Sequence, residues 1–67
     1  MDLKKAFEIL KKTYGNHSRA AVAIAYSPAY YRMIRAKVTA GEIVPPRTVE
    51  WITMKAERCL AAHNDAV

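Results

Sequence analysis

The sequence predicts an all-α fold: a compact domain of four to five helices in which two short helices meet at a tight turn near the centre. Two observations carry that reading. Apolar residues recur at three- and four-residue spacing in successive stretches, and each stretch is bounded by a capping residue, a glycine or a proline placed where helices begin and end.

The first stretch places Leu3, Ala6, Phe7, Leu10 and Tyr14 on one face, with Asp2 able to cap the N-terminus and Gly15 standing where a helix C-terminus favours a left-handed residue. A helix over 3–13 follows. The second begins at once, with Asn16 as N-cap, because its side-chain oxygen can accept from an otherwise unpaired backbone N–H. It covers 17–24, and Ala20, Ala21 and Ile24 share a face. Side chains this small let a neighbouring helix approach closely, although alanine also has high helix propensity.

Ser27-Pro28 opens the third helix, predicted over 28–39: serine caps, and proline at the first helical position has no N–H to leave unpaired. Only Ala25 and Tyr26 separate it from the second helix. Two short helices joined this tightly, the first with small residues on its contact face, describe a helix-turn-helix. At about 100° per residue Tyr31, Ile34 and Val38 face the core, while Pro28, Ala29, Arg32, Met33 and Ala36 face away. The outward face has the form a helix needs to enter a DNA major groove: small residues for close approach, and an arginine able to pair bidentately with guanine. In an isolated helix Arg32 would read as a solvated surface arginine; within the helix-turn-helix, base contact is the favoured reading. Met33 suits either contact with a thymine methyl or a gap in the core.

Gly41 ends this helix, and Pro45-Pro46 excludes helix before it and pre-sets the first turn of a fourth over 46–62. Val49, Ile52, Ala56, Cys59 and Leu60 form its inner stripe, and residues 63–67 are expected to fray. Trp51 lies off that stripe. It is either a core residue at the stripe's edge or a candidate dimer-interface residue.

Sixty-seven residues make a single domain, 1–67, able to bury only about 60% of the surface its unfolded chain exposes, too little for a roomy enclosed active site. The lone Cys59 cannot form an internal disulfide, no Cys/His pair has zinc-ligand spacing, and nothing calls for a cofactor or metal. With no secretory leader or long apolar run, a soluble cytoplasmic protein with no membrane partner is expected. The net charge is +5, with an isoelectric point near 9.7. Between Glu8 and Glu42 there is no carboxylate, while Lys11, Lys12, Arg19, Arg32, Arg35 and Lys37 supply six cations. Such asymmetry marks a polyanion binder, although small domains are also basic for solubility.

The run Gly15-Asn16-His17-Ser18-Arg19-Ala20-Ala21-Val22-Ala23-Ile24-Ala25-Tyr26-Ser27-Pro28-Ala29-Tyr30-Tyr31, followed by Gly41-Glu42-Ile43-Val44-Pro45-Pro46-Arg47, resembles the Cro family of phage repressors over about Leu3 to Leu60. Ala21 matches the alanine of the family's first motif helix, Ile24 the hydrophobic residue before the turn, and Val44-Pro45-Pro46 the segment after the recognition helix. The resemblance implies a lambda-repressor-like fold that binds a two-fold symmetric operator in double-stranded DNA as a homodimer, formed either free or only on DNA, and represses transcription in a bacterial host.

Carried over by position, the base-reading residues are Ser27, Pro28, Ala29, Arg32, Met33 and Ala36. Phosphate contacts fall to Asn16, His17, Ser18, Arg19, Tyr30, Arg35, Lys37 and Arg47. Two departures stand out. Ala25 occupies the place of the usual turn glycine, so the turn either takes a left-handed residue at a cost of about 1 kcal/mol or has another shape. The segment from Ile34 to Pro45 is longer than in the family's close members, which leaves the end of the recognition helix open.

The competing class is a small protein-interaction module, an antitoxin or phage-encoded inhibitor, using the same fold and basic face on an acidic protein; fold alone does not decide function. An enzyme is not expected. Glu8, Glu42, Glu50 and Glu57 are scattered, His17 and His63 read as surface residues, and Cys59 reads as packing.

Overall fold

The structure, a computed structural model, describes the backbone of residues 1–65 and the side chains of residues 1–62. Among the described residues the chain forms four helices and no strand: α1 (Leu3–Tyr14), α2 (His17–Ala23), α3 (Pro28–Ala40) and α4 (Pro46–Asp65).

Local chemistry sets each start. Asp2 Oδ1 accepts from the Lys5 N–H at 2.9 Å, Asn16 Oδ1 from Arg19 at 2.8 Å and Ser27 Oγ from Tyr30 at 3.1 Å, so in three helices the capping side chain satisfies the orphan N–H three residues on. At α4 the first bonds go to the Pro45 carbonyl, which accepts from Thr48 and Val49 at 3.0 and 3.1 Å, while Pro46 has no N–H to satisfy.

The ends follow a second rule. At the end of α3 the Gly41 N–H donates to Val38 and the Glu42 N–H to Lys37, with Gly41 left-handed at φ 76°. The end of α2 repeats this pattern with Ala25 N–H to Val22, Tyr26 N–H to Ala21, and Ala25 at φ 66°. Both are Schellman closures, in which the left-handed residue turns two successive N–H groups back onto the last free carbonyls. The turn therefore keeps the left-handed shape with an alanine in place of glycine.

One correction concerns α4. It continues through Asp65 instead of ending at Ala62, since neither glycine nor proline follows to stop it. Of the tail expected to fray, residues 66 and 67 lie outside the described residues.

Ala6, Phe7, Leu10, Ala20, Ala21, Ile24, Tyr31, Ile34, Ile52 and Ala56 form one buried cluster. Small residues on both sides, Ala6 on α1 and Ala20 and Ala21 on α2, let those helices pack closely. Phe7 and Tyr31 meet edge to face with ring centroids 5.0 Å apart, the arrangement favoured by the aromatic quadrupole. The inner stripe of α4 differs from expectation. Thr48, Ile52 and Ala56 are buried and Cys59 half-buried, whereas Leu60 is 40% exposed and Val49 only half-buried. These positions follow i, i+4, i+8 and i+11, one face of a helix.

α4 packs on α1, and its backbone makes no close approach to α2 or α3. Long side chains bridge that space. The Trp51 indole N–H donates to the Ile24 carbonyl at 2.8 Å, and the Thr48 and Tyr30 hydroxyls lie 3.1 Å apart.

Candidate nucleic-acid interface

α3 divides as its sequence requires. Tyr31, 2% exposed, and Ile34, 1% exposed, hold the inner face, while Ser27, Pro28, Ala29, Arg32, Met33 and Ala36 are all exposed. Met33 is 46% exposed, so of its two readings the core one is set aside. The two flanks of this outward strip are Tyr30 and Lys37 on one side and Arg35 on the other, each half-buried.

Hydrogen bonding sharpens what the strip can offer. The Ser27 oxygen already accepts the capping N–H of Tyr30, which leaves its O–H free to donate to an acceptor. Arg32 carries five donors in a planar fork, matched to the two acceptors of guanine. Pro28, Ala29 and Ala36 present no side-chain polar atom.

The start of α2 meets α3 through His17 and Tyr31. Asn16 uses its side-chain oxygen for the cap, so only its NH2 remains as a donor. Ser18 and Arg19 are exposed. His17 is half-buried, with Nδ1 at 3.0 Å from the Tyr31 hydroxyl and its ring 5.6 Å from that of Tyr31. Burial first, then the charges of Arg35 and Lys11, hold the imidazole below its ordinary pKa. In the neutral ring with Nδ1 accepting from Tyr31, Nε2 is left as a donor. Burial pushes the Tyr31 phenol up to about 12, against the opposing pull of Arg35. Lys11 of α1 and Arg35 of α3 thus lie near enough to His17 of α2 to disfavour its charged form.

Neighbours within the chain engage two further candidates, and for Trp51 this matches its reading as a core residue at the edge of the stripe. The Tyr30 hydroxyl, expected near a phosphate, lies 3.1 Å from Thr48 Oγ1, and Thr48 is 7% exposed; pairing this buried hydroxyl outweighs a solvent contact. The Tyr30 ring also packs edge to face on Tyr26, centroids 5.0 Å apart. Trp51, a candidate dimer contact, is half-buried, with its N–H engaged by Ile24 and Lys55 Nζ 4.5 Å from its ring centroid. It braces the turn of the helix-turn-helix. Arg47 is exposed on the first turn of α4.

Sequence reasoning passed over Thr48 and Ile43. Thr48 gave no signal, because a threonine in the first turn of a helix is commonplace. Ile43, 90% exposed in the loop between α3 and α4, had one: an isoleucine beside Pro45-Pro46 has no helical stripe to join. No described helix is long and apolar enough to cross a membrane, and no cluster of His, Cys, Asp and Glu among the described residues could hold a metal ion. Comparison of the chain with protein-family models, with curated proteins and with solved structures finds no match.

Proposed function

We propose that the protein is a sequence-specific double-stranded DNA-binding regulator, a Cro-like phage or prophage repressor, with α3 in the major groove of a two-fold symmetric operator. The observation that carries this reading is the outward strip of α3: six exposed positions, small except for Arg32 and Met33, in a stretch of chain with no carboxylate between Glu8 and Glu42. An element with that face can approach a base edge without clash or charge repulsion.

Binding proceeds in two parts. Arg19, Arg35, Lys37 and Arg47, with donors from Asn16, His17 and Ser18, capture phosphates and fix the register. Arg32 and the Ser27 O–H then read base edges, and Met33 contacts a thymine methyl. The protein acts as a homodimer on two half-sites, and Ile43 replaces Trp51 as the apolar contact between subunits, since the Trp51 N–H is committed within its own chain. Occupying promoter DNA excludes polymerase, which gives repression.

The test is retardation of a duplex from the region upstream of the gene, at moderate salt, against a scrambled duplex of equal length. The scrambled duplex should bind at least about 1,000-fold more weakly, the low end of the specificity of such proteins. Equal, weak binding to both sinks the proposal in favour of the protein-interaction module.

A further inference from the structure

A groove of about 880 Å³ opens between the C-terminal halves of α1 and α4. No residue assigned to DNA lines it. Ile9, Cys59 and Leu60 give it an apolar surface, and Ala23 at the end of α2 and Ala62 on α4 keep it shallow and open to close approach. Lys12, Lys55 and Arg58 also line it, and among the described residues no Asp or Glu does.

Shape and charge together select the occupant. A half-open trough between two helices suits a third helix laid along it, apolar face inward, as in other helix-in-groove complexes. A small ligand needs most of its surface enclosed, which this trough does not provide. A second copy of the chain would bring two sets of Lys12, Lys55 and Arg58 together on a protein of net charge +5, and like charges across an interface are costly. Carboxylates flanking an apolar stripe complement the groove instead.

We propose that this groove docks an acidic amphipathic helix of a protein partner, with leucine-sized residues at i, i+4 and i+7 against Ile9, Cys59 and Leu60 and carboxylates paired with Lys12, Lys55 and Arg58. Docking there leaves the outward strip of α3 free, so the partner can bind whether or not the protein holds DNA. The proposal does not depend on the DNA reading, and neither fails with the other.

Two built-in reporters allow a test. Lys55 lies over Trp51 at 4.5 Å, so an anion that draws Lys55 away changes the emission of the only tryptophan. Cys59, the only cysteine, can be alkylated by iodoacetamide at a rate that falls when the groove is covered.

The probe is a synthetic helix of roughly 16 residues with leucines at that spacing and glutamates elsewhere, compared with a peptide of the same composition in scrambled order. The patterned peptide should change Trp51 emission saturably and slow Cys59 alkylation by about 10-fold or more, and the scrambled peptide should do neither. Ala23→Glu, at an exposed position and checked for an unchanged circular dichroism spectrum, should weaken the patterned peptide by about 10-fold. Equal effects of the two peptides, or an unaffected Ala23→Glu variant, would overturn the proposal. So would Cys59 protection by laurate but not by the patterned peptide, protection by self-association in sedimentation, or competition between the peptide and duplex DNA.

Discussion

The indole N–H of Trp51 and the carbonyl of Ile24 are 2.8 Å apart, across a space where the backbones of α4 and α2 do not meet. Ile24 closes α2, so its carbonyl has no partner within the helix. Trp51→Phe keeps an aromatic side chain but removes the donor and the smaller ring that carries it. It should lower stability by about 1–3 kcal/mol, read from urea unfolding followed by circular dichroism; a loss under about 0.5 kcal/mol would mean that water replaces the indole.

Ala25 holds φ 66°, a conformation that costs a non-glycine residue about 1 kcal/mol. Ala25→Gly should recover most of that, partly offset by the greater freedom of glycine in the unfolded chain. The expected outcome is a net gain in midpoint temperature, with Ala25→Val moving it the other way. A lower midpoint for the glycine variant would show that the turn is not left-handed in solution.

Tyr30→Phe leaves the Thr48 hydroxyl buried without its partner at 3.1 Å. Stability should fall by about 1 kcal/mol, and the DNA affinity of the folded protein should stay unchanged. If about four phosphates are neutralised per monomer, log K falls against log salt with a slope near −3.6, about doubled in a dimer. A uniform loss of affinity for every duplex in Tyr30→Phe, measured where the variant is fully folded, would place this hydroxyl on a phosphate after all.

Arg32 stands exposed on α3 with its donors unclaimed by any helix cap. Arg32→Ala should cost about 1–3 kcal/mol and relax discrimination at one base position. Selection from a randomised duplex library reads this directly, and a uniform loss over all sequences would reduce Arg32 to a phosphate contact.

His17 titrates below its ordinary value because it is partly buried and faces Arg35 and Lys11, with the Tyr31 hydroxyl on Nδ1. The folded state therefore takes up this proton at lower pH than the unfolded state, whose imidazole titrates near 6.5. Below that pH the unfolded chain binds more protons, so stability falls as pH drops. Unfolding measured between about pH 7.5 and 5.5 should show this decline, and His17→Gln should flatten it. An identical decline in the variant would assign the effect to another group.

What could be read in advance was what neighbours in sequence decide. Asp2, Asn16 and Ser27 each cap the helix they precede, because a cap needs only three residues of local geometry. The buried and exposed faces of α3 followed from its period. The left-handed Ala25 was one of two shapes left open, since sequence gives the cost of that conformation and not whether packing meets it. The end of α4 was misplaced because no residue there punctuates the helix. Hidden altogether were the links between distant positions, Tyr30 with Thr48, His17 with Tyr31 and Trp51 with Ile24. Each depends on how the helices cross, and so does the groove along α1 and α4.

The brace from Trp51 to the α2–α3 turn also orders events during synthesis. α1, α2 and α3 emerge from the ribosome before the residue that anchors their turn, and Ile52 and Ala56, which complete the buried cluster, emerge only after it. A nascent chain halted before α4 carries every residue assigned to reading bases, yet lacks the support that holds them in place. α4, made after these three helices, thus completes both their core and the brace on their turn.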